Sequence, residues 1–162
     1  MMKSKQVTAV TFILFILCIS SCRQSPKEGK EEEKPKTVTT SPYPSMSNEE
    51  ITNLFSITDK VDMIFYNLPM SINQDDAKSA KNTVLYISPA PALMNAPCKA
   101  LGRLSWISKG AIVKEADIYC DQGCQYFIFM TDNKPVASNA MSESGVVFFN
   151  QILSQAAQQR PK

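Results

Sequence analysis

Residues 101–140 read LGRLSWISKG AIVKEADIYC DQGCQYFIFM TDNKPVASNA, and this stretch decides the fold. It contains four apolar-rich runs: 101–107, 111–120, 124–131 and 134–140. Two polar connections of three residues, each ending in glycine, separate the first three runs, and Asp132-Asn133 precedes the fourth. Glycine and asparagine at such positions are typical of hairpin turns. The stretch therefore predicts a four-stranded antiparallel meander.

The lengths of the connections determine which residues face each other. If the first two connections are three-residue loops with glycine at positive φ, Gly102 lies opposite Ala116, and Ala116 lies opposite Ile128. In this register one face of the meander is almost free of charge, while Phe127 and Phe129 point to the other face. We therefore expect the uncharged face to pack on helices.

The segments on both sides of the meander predict helices. Ser47 and Glu50 match a capping box in front of a helical pattern over residues 48–67, and a second pattern covers residues 74–87. After the meander, Ser142 can cap a final helix. We therefore predict an α+β fold with two N-terminal helices, a four-stranded antiparallel meander and a C-terminal helix.

The N-terminus has the features of an export signal. Residues 7–19 are mostly apolar, and as a helix they would span about 20 Å, less than the roughly 30 Å hydrocarbon core of a bilayer. The run ends in Ile-Ser-Ser-Cys at Cys22, which resembles the lipobox of bacterial lipoproteins. The resemblance implies that residues 1–21 are a signal peptide and that Cys22 is acylated. It also implies that the protein is attached to a membrane through this N-terminal lipid.

The residues after Cys22 indicate the destination and the domain organisation. Arg23 stands where an Asp favours inner-membrane retention, so the resemblance implies the outer membrane, on its periplasmic or its cell-surface side. Residues 22–47 are rich in charge and proline, which predicts a disordered tether. Residues 48–162 remain as one small domain with ten Lys and Arg against 11 Asp and Glu. The domain therefore lacks the positive charge typical of nucleic-acid binding, and we expect no nucleic-acid partner.

Three cysteines of the domain give a chemical signal. The expected registers bring Cys98, Cys120 and Cys124 to one end of the sheet. In an oxidising compartment we expect one disulfide, Cys98–Cys120 or Cys120–Cys124, with one thiol left over. A redox pair and a metal site are the alternatives. The CxxxC spacing on a hairpin argues against the first and the absence of histidine against the second, so we predict no metal and no cofactor.

Recognisable catalytic motifs are absent from the sequence. Without histidine the chain cannot form a Ser-His-Asp or Cys-His arrangement, and its five scattered glycines form no phosphate-binding loop. Glu115 and Asp117 alternate on one strand about 6–7 Å apart, but such pairs are common on solvated strands. We therefore predict no catalytic residues and a protein that is not an enzyme.

The second face of the meander is the best candidate binding site in the sequence. The expected registers place Phe127 and Phe129 near Tyr119, Arg103 and several charges, and such a mixed patch is typical of a recognition surface. The alternative is that a helix covers this face and buries both phenylalanines. We predict a non-catalytic binding or envelope-assembly component with an envelope protein as partner. A carrier of a small apolar ligand between sheet and helices is the main alternative, and a thiol-dependent enzyme is a more distant one.

Overall fold

A computed structural model describes residues 38–95 and 98–158 of the chain. These residues contain nine strands and three helices. In chain order the elements are β1 (Val38–Thr40), α1 (Asn48–Ile57), β2 (Lys60–Phe65), β3 (Ser71–Gln74), α2 (Ala77–Val84), β4 (Ile87–Pro91), β5 (Leu93–Asn95), β6 (Gly102–Ser108), β7 (Ala111–Asp121), β8 (Cys124–Thr131), β9 (Lys134–Met141) and α3 (Glu143–Gln158). The predicted signal peptide, Cys22 and residues 23–37 of the predicted tether lie outside the described residues.

One seven-stranded antiparallel sheet dominates the domain. Its strands follow the order β3-β2-β6-β7-β8-β9-β4. The predicted fold, with two N-terminal helices and a four-stranded meander, is therefore wrong. Residues 101–140 supply β6 to β9, but β2 and β3 extend the sheet on one side and β4 on the other, so the domain is mostly β.

The first predicted helix ends at Ile57 instead of residue 67, because the sequence changes its period there. Thr58 leaves the helical conformation, and its hydroxyl donates a 2.7 Å hydrogen bond to the carbonyl oxygen of Leu54. In β2 every second side chain is then buried: Val61, Met63 and Phe65. A period of two is that of a strand, although several of these apolar residues also fit a helical spacing.

The second predicted helix, residues 74–87, is also shorter in the structure, because the residues at both of its ends belong to strands. Asp76 caps α2 by accepting a 2.8 Å hydrogen bond from the backbone N–H of Ser79. The residues on either side of α2 form the two edge strands, β3 and β4. Pro89 and Pro91 fit β4 because an edge strand tolerates a missing backbone donor.

The first hairpin of the meander closes with a two-residue turn. Lys109 and Gly110 have φ angles of 50° and 81°, the signs that a type I′ turn requires. Together with a β-bulge in this hairpin, the turn places Gly102 opposite Ile118 rather than Ala116. A shift of two residues leaves the side chains on their predicted faces.

The connection of the second hairpin also has two residues instead of three, but no β-bulge between β7 and β8 adds a second residue to the shift. Asp121 pairs with Cys124, and Ala116 lies opposite Phe129, one residue beyond its predicted partner. A shift of one residue moves every side chain of a strand to the opposite face. Phe129, and with it Phe127, therefore belongs to the face that carries the helices.

The helix-bearing face of the sheet forms the core. Its largest fully buried side chains include Trp106, Phe127, Phe129 and Phe149. Nε1 of Trp106 donates a 2.8 Å hydrogen bond to the hydroxyl of Thr83, which joins β6 to α2. The three helices contribute buried residues to the same cluster, so they cover one face of the sheet.

Residues 38–47, part of the predicted tether, contact the folded domain. The carbonyl oxygen of Pro44 accepts a 2.8 Å hydrogen bond from the backbone N–H of Ser138, and β1 pairs with β5. Met46 is buried, and its N–H donates a 2.8 Å hydrogen bond to Oδ1 of Asn139. The folded part therefore begins before the predicted boundary, because Ser138 and Asn139 of β9 hydrogen-bond to these residues and Met46 packs in the core cluster.

Candidate functional site

The sheet face away from the helices, which we call the outer face, is partly covered by β1 and β5. We call this two-stranded ribbon the strap. The strap end of the outer face contains a small apolar cluster: Ala92, Met94, Cys98, Tyr119, Cys124, Tyr126 and Ile128. The rest of the outer face is a sheet surface without such a cover in the part of the chain that is described.

A disulfide between Cys98 and Cys124 links the segment after β5 to β8. The expected single disulfide is present, but both predicted pairings, which included Cys120, are wrong. Because Asp121 faces Cys124, the side chains of Cys120 and Cys124 lie on opposite faces of the sheet. Cys98 and Cys124 have Cα atoms 6.0 Å apart, within the range that a disulfide requires.

Cys120 is the remaining thiol, and it lies in the core. Its Sγ is 3.9 Å from Oδ1 of Asn150, a weak hydrogen bond. Burial, together with the negative charge of Asp121, raises the pKa of the Cys120 thiol to about 11. A nucleophilic cysteine needs the opposite shift, toward the thiolate at neutral pH. The three cysteines therefore do not form a joint reactive site.

The uncovered part of the outer face carries a mixed surface, which we call the open patch. It consists of Asp62, Ile64, Tyr66, Arg103, Ser105, Glu115 and Asp117. Ile64 faces Arg103, and Arg103 faces Asp117, across β2, β6 and β7. Ile64 is 59% exposed and Tyr66 is 50% exposed. The open patch thus combines exposed apolar groups with charges on a sheet.

Hydrogen bonds hold the side chains of the open patch in place. The Tyr66 hydroxyl and Nε of Arg103 both donate to Oδ1 of Asp117, each at 2.9 Å. Nη1 of Arg103 also donates to Oδ1 of Asn133, in the turn between β8 and β9, at 2.9 Å. Because β6 lies between Tyr66 and Asp117, the Tyr66 ring has to reach across β6. The network therefore fixes the orientation of an exposed aromatic ring.

The same contacts shift two pKa values in the open patch. The hydrogen bond to Asp117 raises the pKa of Arg103. Burial, followed by the hydrogen bond to Asp117, raises the pKa of Tyr66. Both shifts favour the protonated forms, so Arg103 stays a cation and Tyr66 stays a neutral donor at neutral pH.

The four residues predicted for the binding patch separate into three locations. Arg103 lies in the open patch. Tyr119 lies in the strap cluster and stacks on Tyr126 with ring centroids 4.6 Å apart. Phe127 and Phe129 are fully buried on the core face and contribute no binding surface, because of the one-residue register difference.

Sequence reasoning missed Ile64 and Tyr66, because it assigned both to the first helix. The sequence signal that could have found them is Asp62 between the apolar Val61 and Met63, which fits the two-residue period of a strand. Reading that segment as a strand places Ile64 on the same face as Asp62. The position of Tyr66 over Asp117 had no signal in the sequence, since it depends on the pairing of β2 with β6.

Side chains fill the layer between the sheet and the helices around Phe129. Its ring centroid lies 6.2 Å from that of Trp106 and 6.4 Å from that of Phe127, and all three side chains are fully buried. Grooves lie at the surface, among them one of about 440 Å³ beside Ala90, Leu93 and Met141 and one of about 240 Å³ beside Ile51, Phe55, Val84 and Leu85. A carrier site in the layer around Phe129 would require these rings to move.

Comparison with protein-family models, curated proteins and solved structures finds no match for this chain. Within residues 38–95 and 98–158, no helix is long and apolar enough to cross a membrane. The same residues contain no group of three or more His, Cys, Asp or Glu that could hold a metal ion. The function has to be inferred from the chemistry of the open patch and from the N-terminal sequence.

Proposed function

We propose that this chain is an outer-membrane lipoprotein and that its domain is a non-catalytic binding component of the cell envelope. The open patch is the proposed binding surface. The observation that carries this proposal is the exposed Tyr66 ring, held by Asp117 beside the exposed Ile64. The N-terminal lipid would keep the domain near its partner in the envelope.

The composition of the open patch supports protein binding. Tyrosine and arginine are enriched at protein interfaces, and apolar side chains next to them exclude water from the contacts. A ring that is already oriented loses little conformational freedom when a partner covers it. Tyr66 meets this condition because its hydroxyl is bonded to another strand. The expected partner is an envelope protein.

The proposed anchoring rests on the resemblance of the N-terminus to a lipobox. Radiolabelled palmitate fed to cells should be incorporated into the wild-type protein and not into Cys22→Ala. Cys18→Ala is the matched control, because Cys18 lies four residues earlier in the same apolar segment and should leave labelling unchanged. Equal labelling of Cys22→Ala and wild type would exclude the lipoprotein assignment.

The proposed binding surface is tested by removing its aromatic ring. Tyr66→Ala should abolish the specific crosslink between the full-length protein and its envelope partner, while circular dichroism shows a folded domain. Phe55→Ala is the matched control, because Phe55 is an exposed aromatic residue on α1, outside the open patch. Loss of the crosslink in both variants, or in neither, would contradict the proposed role of the open patch.

A further inference from the structure

Two carboxylates of the open patch, Asp62 and Glu115, form no salt bridge within the described part of the chain. Asp62 and Glu115 lie in one row across the sheet, because Ser105 faces both of them. Asp62 accepts a hydrogen bond from Asn73, and Glu115 accepts one of 3.1 Å from the Ser105 hydroxyl. The nearest cations, Arg103 and Lys60, are themselves paired with Asp117 and Asp75 at 2.9 Å, and they attract Glu115 and Asp62 only without direct contact. The unpaired charge of the patch is therefore negative.

The spacing of the two carboxylates indicates the size of the cation that would fit. Two strand spacings separate Asp62 from Glu115, which is about 10 Å between backbones. A single metal ion holds its oxygen ligands at about 2.5 Å, and the described residues contain no group of three or more His, Cys, Asp or Glu that could surround one. A lysine or arginine side chain above Ser105 could approach both. The Ser105 oxygen, which donates its proton to Glu115, keeps its lone pairs available as acceptors.

The apolar part of the patch lies at a defined distance from this row. Ile64 is two residues beyond Asp62 on β2 and therefore lies on the same face about 7 Å away. Tyr66 continues the apolar surface in the same direction. A segment in extended conformation presents alternate side chains with this same separation. The patch is therefore complementary to a cationic side chain followed, two positions along, by an apolar one.

We infer that the partner contacts the open patch through an extended protein segment that carries Lys or Arg two residues from an apolar side chain. This inference rests on the proposed binding function and names the chemistry of its partner. The cation lies over Ser105, between Asp62 and Glu115, and the apolar side chain packs on Ile64. A second copy of the same patch is a poor partner, because like charges would face each other.

A photoreactive amino acid in place of Ile64, in the full-length protein in its native envelope, tests the inference. The crosslinked partner peptide, sequenced by mass spectrometry, should contain Lys or Arg within three residues of the attachment point. Asp62→Asn combined with Glu115→Gln should lower the crosslink yield at least about fivefold, because each exposed ion pair contributes modestly and the double variant removes both. The control is Glu49→Gln combined with Glu143→Gln, which removes two exposed charges from the helices and should leave the yield unchanged.

The salt dependence of crosslinking, measured with the photoreactive residue at position 64 and all charged residues intact, tests the same conclusion without the charge variants. The yield from the photoreactive residue should fall as salt is raised from about 0.05 M to about 0.5 M, because salt screens surface charges. A protein crosslink that is insensitive to both the charge variants and salt would overturn the inference while leaving the proposed function intact. A crosslink only to a glycan, or only to the chain's own Lys34 or Lys36, would overturn both.

Discussion

The hydroxyl of Tyr66 and Oδ1 of Asp117 lie 2.9 Å apart across β6, and this hydrogen bond fixes an exposed aromatic ring. Asp117 is itself held by Nε of Arg103. The ring is therefore ordered before any partner arrives, and binding does not have to supply that ordering. Asp117 lies on β7, and Tyr66 directly follows β2 and donates its backbone N–H to the carbonyl oxygen of Leu101 at 3.0 Å, so the paired strands β2, β6 and β7 hold both ends of the bond.

The first prediction separates the hydroxyl of Tyr66 from its ring. Tyr66→Phe should lower the free energy of unfolding by under about 1 kcal/mol, since Asp117 retains Arg103 and the site is open to water. Partner binding should weaken more clearly, because the ring loses its fixed orientation. Urea unfolding and crosslink yield measure the two effects, with Tyr43→Phe as a control outside the patch. A stability loss of several kcal/mol would mean that the network supports the fold rather than binding.

The second prediction contrasts the two faces of the sheet. Phe129→Ala should lower the free energy of unfolding by about 3–5 kcal/mol, because Phe129 is fully buried. Ile64→Ala should cost well under about 1 kcal/mol, because Ile64 is 59% exposed. Chemical denaturation of the two variants under identical conditions gives the comparison. Similar losses in both would contradict the assignment of the faces.

The strands of the meander could be predicted because alternation and turn residues are local signals. The registers could not, because a connection such as Asp121-Gln122-Gly123 fits a two-residue or a three-residue loop. The choice moves Phe127 and Phe129 between the two faces. The disulfide pairing depends on the same choice, since Cys120 and Cys124 share a face only in the three-residue case.

The strands that flank the meander, β2, β3 and β4, were harder to predict for a different reason. The apolar residues of β2 fit both a helical and a strand spacing, and the pairing of Val61 with Trp106 decides between them. That pairing joins segments distant in sequence, which a local pattern does not report. Arg103 could be assigned to the candidate site from its strand. Ile64 and Tyr66 could not be assigned to it, because β2 and the residue after it were predicted to be part of a helix.

The third prediction concerns the start of the folded domain. A chain that begins at Asn48 should be about 3–5 kcal/mol less stable than one that begins at Val38, because it loses buried Met46 and the cap at Ser47. Urea unfolding of the two chains measures the difference. A chain that begins at Arg23 and the Val38 chain should agree within about 0.5 kcal/mol, since residues 23–37 have a composition that cannot form a core. Equal stability of all three chains would mean that residues 38–47 contribute nothing.

The fourth prediction concerns the disulfide. Peptide mapping without reductant should recover Cys98 linked to Cys124, with Cys120 as a thiol that reacts only after unfolding. Cys98→Ala should lower the free energy of unfolding by about 2–4 kcal/mol, because the bridge restricts the unfolded chain between positions 26 residues apart. Cys120→Ala should cost less, about 1–2 kcal/mol, because it removes only one buried atom. Recovery of a bridge that contains Cys120 would contradict the register of β7 and β8.

The last prediction follows from the buried ionisable groups. Burial raises the pKa of Cys120 from 9.0 to about 11 and that of Tyr126 from 10.0 to about 12. As pH rises, the unfolded chain loses these protons before the folded one does, so the unfolded state gains stability. The stability that these groups contribute is complete below about pH 9 and is lost as pH rises toward about 11 and 12.

Urea unfolding at pH 7 and pH 10 should isolate the part that Cys120 contributes. The wild type should lose up to about 1 kcal/mol more than Cys120→Ala between these pH values, a figure reduced from the ideal linkage value for solvent screening. Tyr126 is present in both proteins, so its titration cancels in the comparison, and the disulfide-bonded cysteines do not titrate at all. An identical pH dependence in the two proteins would mean that the Cys120 thiol ionises as easily when folded as when unfolded, which is incompatible with its place in the core beside α3.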